Sequence, residues 1–411
     1  MLLNIHRFLF LLLIGYLTLD NSYAQTYLPS NYPDRITLSI TAQPSTSQAI
    51  SWRTNSTVSN GFAQIKAEDS SSDMEKGMRQ VPAAVHHLQV VDPAPRQDNY
   101  HQVVFEGLHP GTLYSYRVGD GTHWSEWLQF RTAEDPEAAS SFSFIYLGDA
   151  QNDLKSRWSR AIRKAFQHAP DARFIVHAGD LINRANTDRE WGEWHQGAGF
   201  IQGMIPVLPT PGNHDHLWDD KADKPVLDPH WAAQFHLPKN GPEGQQASVY
   251  YVDYQQVRLI SLNSQVALHD AAARQEQARW LEEFLQNNPQ RWTIVTMHHP
   301  IHSTAKKRDN VLLKQHFEPL FDKYSVDLVL QGHDHTYARG KGKQKNSPVY
   351  VVSVAGPKMY KSDSERWMDI SLVDTQLYQI ITVSNDSLIY KAFDLNGSLK
   401  DELTLTKELG L

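Results

Sequence analysis

The sequence predicts two folded domains. The first is an all-β sandwich over residues 30–134. The second is a mixed α/β domain over residues 140–405, with two packed sheets and helices outside them. Three observations carry this reading. Up to residue 134, apolar and polar residues alternate in short runs broken by turn clusters. Beyond Glu134-Asp135-Pro136, apolar runs alternate with segments of helical periodicity, the pattern of a parallel sheet with crossover connections. Within that second part, five apolar runs end in a small residue or a turn and then in Asp, Asn or His.

Arg35 to Ile40 and Ala49 to Arg53 read as the first two strands, separated by Gln43-Pro44-Ser45-Thr46-Ser47. The serine-rich stretch from Glu68 to Lys76 reads as a loop. Strands follow at Tyr100 to Glu106, Leu113 to Val118 and Trp127 to Arg131, with Gly107-Leu108-His109-Pro110-Gly111 and Gly119-Asp120-Gly121 as turns. Short strands at this spacing define a sandwich of about 100 residues. His86 and His87 are adjacent, so a strand would point them to opposite faces, and both read as surface residues.

In the second domain, Phe142 to Leu147 reads as a strand ending at Gly148-Asp149. Ser156 to His168 carries Trp158, Ile162, Ala165 and Phe166 at helical spacing. Phe174-Ile175-Val176 is a buried strand running into Ala178-Gly179-Asp180, and Gly179 permits the sharp turn there. A helix is expected over Thr187 to Phe200, then a strand from Ile205 to Leu208 leading to Pro211-Gly212-Asn213-His214-Asp215. Ser248 to Leu262 is β-rich and Ala271 to Gln286 helical. Trp292 to Met297 is a strand ending at His298-His299-Pro300. Leu312 to Tyr324 is a helix, and Val326 to Leu330 a strand ending at Gly332-His333-Asp334-His335. The remainder, from Val349 to Val354 onward, is mostly β, with turns at Asn385-Asp386-Ser387 and Asn396-Gly397-Ser398. Trp191, Trp194 and Trp280 fall in the expected helices, where packing is their default role.

At 411 residues, 40% hydrophobic and 21% charged, the chain has the composition of an ordinary globular protein. Its formal charge of −7 offers no basic face for nucleic acid. The absence of cysteine excludes disulfides and thiolate metal sites. His6 and Arg7 precede an apolar run from Phe8 to Leu19, and Ser22-Tyr23-Ala24 is a small-x-small cleavage site. This is the pattern of a signal peptide over residues 1–24, with a mature chain starting near Gln25. The run is shorter than the roughly 20 apolar residues of a membrane span. The expectation is therefore a secreted or periplasmic protein, without a span once the leader is removed.

The five strand ends supply the chemistry. Ligands collect beyond the carboxyl ends of strands in open α/β sheets. Asp149 and Asp180 offer hard oxygens, Asn213 a neutral amide oxygen, and His298, His333 and His335 imidazoles. This mixture suits zinc, iron or manganese rather than calcium. A carboxylate such as Asp180 can serve one cation with each oxygen. His333 and His335 are alternate residues and can face two neighbouring metals from one side.

Two sets of motifs then carry a resemblance. Pro33-Asp34-Arg35-Ile36-Thr37-Leu38-Ser39, Ser51-Trp52-Arg53-Thr54 and Gly107-Leu108-His109-Pro110-Gly111-Thr112-Leu113-Tyr114 look like the fibronectin type III-like N-terminal domain of purple acid phosphatases. Gly148-Asp149, Gly179-Asp180, Gly212-Asn213-His214, His298 before His299-Pro300 and Gly332-His333-Asp334-His335 resemble the calcineurin-like metallophosphoesterases, and Tyr337 and Arg339 fit the purple acid phosphatase subgroup. The resemblance implies a four-layer α/β/β/α catalytic domain and two metal ions, Fe, Zn or Mn. It implies that Asp149 and His335 hold one ion, that Asn213, His298 and His333 hold the other, and that Asp180 bridges them. Purple acid phosphatases carry a tyrosine three residues after the bridging aspartate, where this chain has Asn183. The wider superfamily often has histidine two residues after the first aspartate, where this chain has Gln151. Gln151 or Asn183 is expected to fill that place as a neutral ligand or to hold water beside it, so the protein is expected not to be purple.

The function implied is an exported phosphatase for small phosphomonoesters, working by in-line attack of a metal-bridging hydroxide. His214, beside Asn213, is expected to donate a proton to the leaving group or bind a phosphate oxygen, and His302 to contact phosphate. His299, as the neighbour of a ligand, is expected to point away. Asp215 and His216 are placed to shape the pocket, and the loops Leu217 to Pro242 and Ser303 to Asn310 to choose the substrate. Lys306-Lys307-Arg308 reads as a solvated loop. A phosphodiesterase or nucleotide pyrophosphatase would use the same ligands. A catalytically inactive binding protein, using the sandwich domain, would be expected to have lost some of them, and all six are present.

Overall fold

The computed structural model describes residues 27–136, 140–305, 308–362 and 365–408. The expected leader and cleavage site, and Lys306 and Lys307, lie outside the described residues. Among the described residues, no helix is long and apolar enough to cross a membrane.

Three large sheets organise the chain. A four-stranded sheet runs Arg79–Pro82, Phe62–Ala67, Leu113–Gly119, Leu128–Arg131. It packs its apolar face, including Ile65, Tyr114, Tyr116 and Phe130, against Leu38, Ile50, Trp52 and Phe105. That is the N-terminal sandwich, but its second sheet does not stop at the domain border. The ten-stranded sheet begins with Leu399–Thr406, Ser387–Asp394, Leu377–Val383 and Phe142–Leu147. It continues through Ile175–Ala178 and Val207–Thr210 into Asp34–Ser39, Gln48–Asn55, Arg96–Phe105 and Ala84–Val90. The join is a short parallel pairing of Ser39 with Val207, extended by the Ile40 amide donating to the Val207 carbonyl at 3.0 Å. One sheet thus passes through both expected domains.

The third sheet has seven strands in the order Tyr250–Tyr254, Val257–Leu262, Trp292–Met297, Leu328–Gln331, Val349–Val352, Tyr337–Lys341, Met368–Leu372. Its central strands are parallel. Residues such as Trp292, Ile294, Leu328 and Val351 pack with Phe144, Ile145, Phe174 and Ile175 of the ten-stranded sheet in one apolar core. Hydroxyls tie the two sheets together: Tyr146 donates to the Gln331 carbonyl, and Tyr250 donates to the Pro209 carbonyl at 2.8 Å. The helices Ser159–His168 and Asp188–Ala198 lie outside the first of these sheets, with Trp158, Ile162 and Trp194 in its core. Ala271–Gln286 and Val311–Lys323 cover the other through Leu281, Leu285, Leu313, Phe317 and Phe321. Asp270 caps the longer of these by accepting the Ala273 amide at 3.0 Å, which satisfies one orphan donor of its first turn. The result is the expected helix–sheet–sheet–helix layering.

Charge fastens the N-terminal domain to the second. Asp188, at the start of the helix Asp188–Ala198, is 1% exposed and faces three arginines of the first domain. Arg35 Nη1 lies 2.5 Å from its Oδ1, and Arg96 Nη2 and Arg53 Nη1 lie 2.6 and 3.3 Å from its Oδ2. Asp34 and Asp98 return charge to Arg53 at 2.7 and 3.1 Å. Burial alone would raise the Asp188 carboxyl, but the Arg35 and Arg53 guanidiniums and the hydrogen bond from His230 outweigh it and hold it far below the usual carboxylate range.

Asp188→Ala leaves buried guanidiniums without their partner and is expected to lower unfolding free energy by about 3–5 kcal/mol, read from denaturant midpoints. Because the folded pKa is depressed, the carboxylate's contribution is complete above the unfolded value of about 4 and lost as pH falls through the acid range. The wild-type advantage over Asp188→Ala should therefore shrink below pH about 4. A cost under about 1 kcal/mol, within the range of a surface pair, would contradict this reading.

Candidate metal centre

The five strand ends do meet. Two groups of donor atoms form beyond the strand tips, each spanning no more than 4.8 Å: Asp180 with His298 and His333, and Asp149 with Asp180 and His335. Asp180 belongs to both. Asn213 joins the first group, its Oδ1 3.2 Å from His298 Nε2. His333 Nδ1 lies 3.1 Å from the same nitrogen. His335 Nε2 lies 3.6 Å from Asp149 Oδ1, and His298 Nε2 lies 3.1 Å from Asp180 Oδ2.

The backbone explains why glycine precedes so many of these residues. Gly179 has φ 86°, and a Cβ there would strike the His298 ring. A Cβ on Gly212 would strike Asp180, and one on Gly332 would strike Asp149. Asp149, Asp180, His333 and His335 themselves hold positive φ, at 29°, 52°, 74° and 50°. Non-glycine residues in that region are strained and persist only where surrounding structure imposes them.

Surrounding hydrogen bonds do impose them. Asp215 accepts the backbone N–H groups of Gly212 at 2.7 Å, Asp180 at 2.9 Å and Leu181 at 3.2 Å. Asp334, between the two histidines and pointing away from them, takes the Thr304 amide at 2.7 Å, the Ser303 hydroxyl at 2.7 Å and Arg308 Nη1 at 2.5 Å. Imidazole tautomers are set the same way, as is usual for metal-binding histidines. His298 Nδ1 donates to the Ala178 carbonyl at 2.9 Å and His335 Nδ1 to the Lys358 carbonyl at 2.7 Å, so both turn Nε2 to the site.

The electrostatics call for positive charge. Burial raises the Asp149 carboxyl well above its usual value, and the Asp180 charge adds to it. Asp215 is pushed up to about 8 by burial and then by Asp180. Burial would lower His298, but the Asp180 carboxylate lifts it to about 9. Burial lowers His333 well below the ordinary imidazole value and His335 to about 4, which leaves both neutral and able to ligate. Buried carboxylates beside neutral imidazoles are the donor set that zinc, iron or manganese takes. The residues present fit a pair of cations.

Of the two neutral amides, Gln151 is the one engaged. Its Nε2 lies 2.9 Å from both Asp180 Oδ2 and His335 Nε2, while its Oε1 is buried with no hydrogen-bond partner. Rotating the amide would aim an oxygen at the second donor group. Asn183 enters through its backbone instead: its N–H donates to Glu190 Oε2 at 2.8 Å, and its carbonyl accepts His214 Nδ1 at 2.6 Å. The His214 backbone N–H donates to Asp180 Oδ1 at 2.8 Å.

His302 does not join the site. Beyond Pro300 the chain turns it towards the helix Val311–Lys323, where Nε2 lies 2.9 Å from Glu318, with Tyr350 and Trp367 packed on its ring at 4.8 and 5.7 Å. The expected phosphate contact is replaced by this contact with Glu318. His299 departs the other way. Rather than pointing off, its ring lies 4.1 Å from that of His333, and its Nδ1 meets the Ser264 hydroxyl at 2.9 Å. His216 is buried, held by the Gly212 carbonyl and Asn263. The structural weight of Asp215 and Asp334 was readable only as their position inside the ligand motifs. Ser264 has no such signal.

Comparison with known proteins follows the same division of the chain. Residues 33–132 match the family described as Purple acid Phosphatase, N-terminal domain, and residues 142–337 match Calcineurin-like phosphoesterase. An uncharacterised protein of Mycobacterium tuberculosis is 26% identical over 323 residues, covering 72% of this chain; the chain spans 60% of that relative's length. Acid phosphatase type 7 of Homo sapiens is 26% identical over 336 residues, 76% of this chain and 71% of its own. Purple acid phosphatase 23 of Arabidopsis thaliana is 24% identical over 387 residues, 81% of each. Among solved structures, purple acid phosphatase PPD1 from yellow lupin (Lupinus luteus) seeds shares the fold, with TM-score 0.77 at 17% identity over 92% of this chain and 74% of its own. Residues 142–337 therefore form a calcineurin-like phosphoesterase domain. The chain's domain pair is that of the purple acid phosphatases.

The donor groups contain no phenol at the position three residues after Asp180, where Asn183 stands. Protein loaded with ferric iron is expected to show no intense visible charge-transfer band. A strong purple absorption would contradict the neutral-amide reading of this position.

Proposed function

We propose that this protein is an exported phosphatase that hydrolyses small phosphomonoesters with two metal ions held by Asp149, Asp180, Asn213, His298, His333 and His335. Support comes from one observation above all: Asp180 belongs to both donor groups, as a bridging carboxylate must. When bound, the two ions supply a hydroxide nucleophile near neutral pH and offset charge on the phosphoryl oxygens. Gln151 completes the Asp149–His335 side as a neutral amide, which suits a divalent ion there. Export rests on the N-terminal charge, apolar run and Ser22-Tyr23-Ala24 pattern.

The chain's own residues do the rest. Asp215 and Asp334 keep the ligand turns in position through the backbone bonds described above. His214 is half-buried, and its Nδ1 is committed to the Asn183 carbonyl. Nε2 remains as the nitrogen that can carry a proton to the leaving oxygen or hydrogen-bond a phosphoryl oxygen. His299, kept neutral by burial, supports the His333 ring without adding charge beside it.

Metal-loaded protein is expected to turn over an aryl phosphomonoester faster than the corresponding diester. His214→Ala should lower monoester turnover by about 100-fold with metal content unchanged. Turnover of the diester alone, or metal loss in His214→Ala, would overturn these assignments.

A further inference from the structure

Away from the metal centre, a cleft of about 560 Å³ opens where the two domains meet. One side is the strand Ala84–Val90, the outermost of the ten-stranded sheet, with Gln102 of the strand beside it. The other side is built from residues 229–247 of the second domain. Leu88, Ala233, Phe235 and Leu237 give the cleft a buried apolar lining. Its volume lies within the range of small-molecule pockets, about 300–1,000 Å³.

The two sides are fixed to one another without a ligand. Gln102 Nε2 donates to the Ala232 and Ala233 carbonyls at 2.9 and 3.1 Å, and its Oε1 accepts from His236 Nδ1 at 3.1 Å. Trp231 Nε1 donates to the Ala247 carbonyl at 2.8 Å. His87 Nδ1 meets Asn99 Oδ1 at 2.7 Å. The shape of the cleft is therefore set before anything enters it.

Its charge runs against that of the chain. The formal charge is −7, yet His86, His87, His236 and Lys239 line the cleft, and among the described residues no Asp or Glu does. Burial lowers the His236 imidazole below its ordinary value, and Lys239 and then His86 lower it further. Basic groups thus crowd one another at the mouth with no carboxylate in the lining to offset them. A concave surface of one sign draws in the opposite charge. A bare inorganic anion would leave the apolar lining in water, so the complementary ligand carries an apolar body as well.

We propose that this cleft binds a small organic anion with an apolar body, of which a medium-chain carboxylate is the simplest case. The aliphatic chain lies on Leu88, Phe235 and Leu237, and the carboxylate meets Lys239 and the imidazoles. A ligand held there touches both domains and raises the stability of the folded chain. None of the lining residues is a candidate metal ligand, so occupancy is independent of the phosphoester reading.

The test is calorimetry on the full-length protein with octanoate, acetate and octylammonium, alongside thermal unfolding with and without octanoate. Wild type should bind octanoate with a dissociation constant below about 1 mM. Acetate, which lacks the apolar body, and octylammonium, which reverses the charge, should each bind at least about tenfold more weakly. Ala232→Trp fills the cleft from an exposed position whose backbone carbonyl, not its side chain, is bonded; it should abolish binding and the rise in melting temperature. Lys239→Gln, an exposed change that leaves the core intact, should weaken octanoate by about threefold to tenfold. Absence of octanoate binding in wild type, equal affinity for octanoate and octylammonium, or unchanged affinity in either variant would overturn the proposal.

Discussion

The dominant constraint in this molecule is buried negative charge. Asp149, Asp180 and Asp215 converge on one pocket, and each is essentially inaccessible to water. Carboxylates removed from water and set beside one another cannot all remain ionised without counter-charge. Asp215 is offset by three backbone N–H groups and is structural. Asp149 and Asp180 are only partly offset in this way, and apart from His298, whose proton Asp180 retains, what surrounds them is neutral imidazole and amide. Two cations satisfy that pocket in a way that protons on Asp149 and His298 can only approximate.

The scaffold is arranged around holding this charge in place. Parallel strands from two sheets end at the same level, and tight turns at their tips bring side chains from distant parts of the sequence together. Four of the candidate ligands, Asp149, Asp180, His333 and His335, sit in left-handed backbone. Such turns would relax if isolated, so Asp215, Asp334 and the carbonyls of Ala178 and Lys358 hold them from outside. The N-terminal domain adds rigidity from further away. Its sheet continues the catalytic one through Ser39 and Val207, and its arginines close on Asp188.

Much of this was readable from residue order alone. The apolar runs before Asp149, Asp180, His298 and His333 are strands because their residues are buried on both faces, and the glycine before three of these ligands reported close approach of neighbouring chains. What the sequence did not show is how side chains are spent on each other. His302 looks like a site residue until Glu318 of a helix that follows it in sequence turns out to be its partner. His299 looked idle until Ser264 and His333 were found beside it. The continuous ten-stranded sheet was hidden for a similar reason. A strand's neighbours depend on backbone pairing across more than 160 positions, and neither Asp34–Ser39 nor Val207–Thr210 carries a local sign of the other.

The most direct measurement of the central claim is an anomalous-difference map from crystals of the full-length protein equilibrated with manganese. Two peaks about 3.5–4 Å apart, both in contact with the Asp180 carboxylate, are the expected result. A single peak, or two peaks of which one does not touch Asp180, would contradict it.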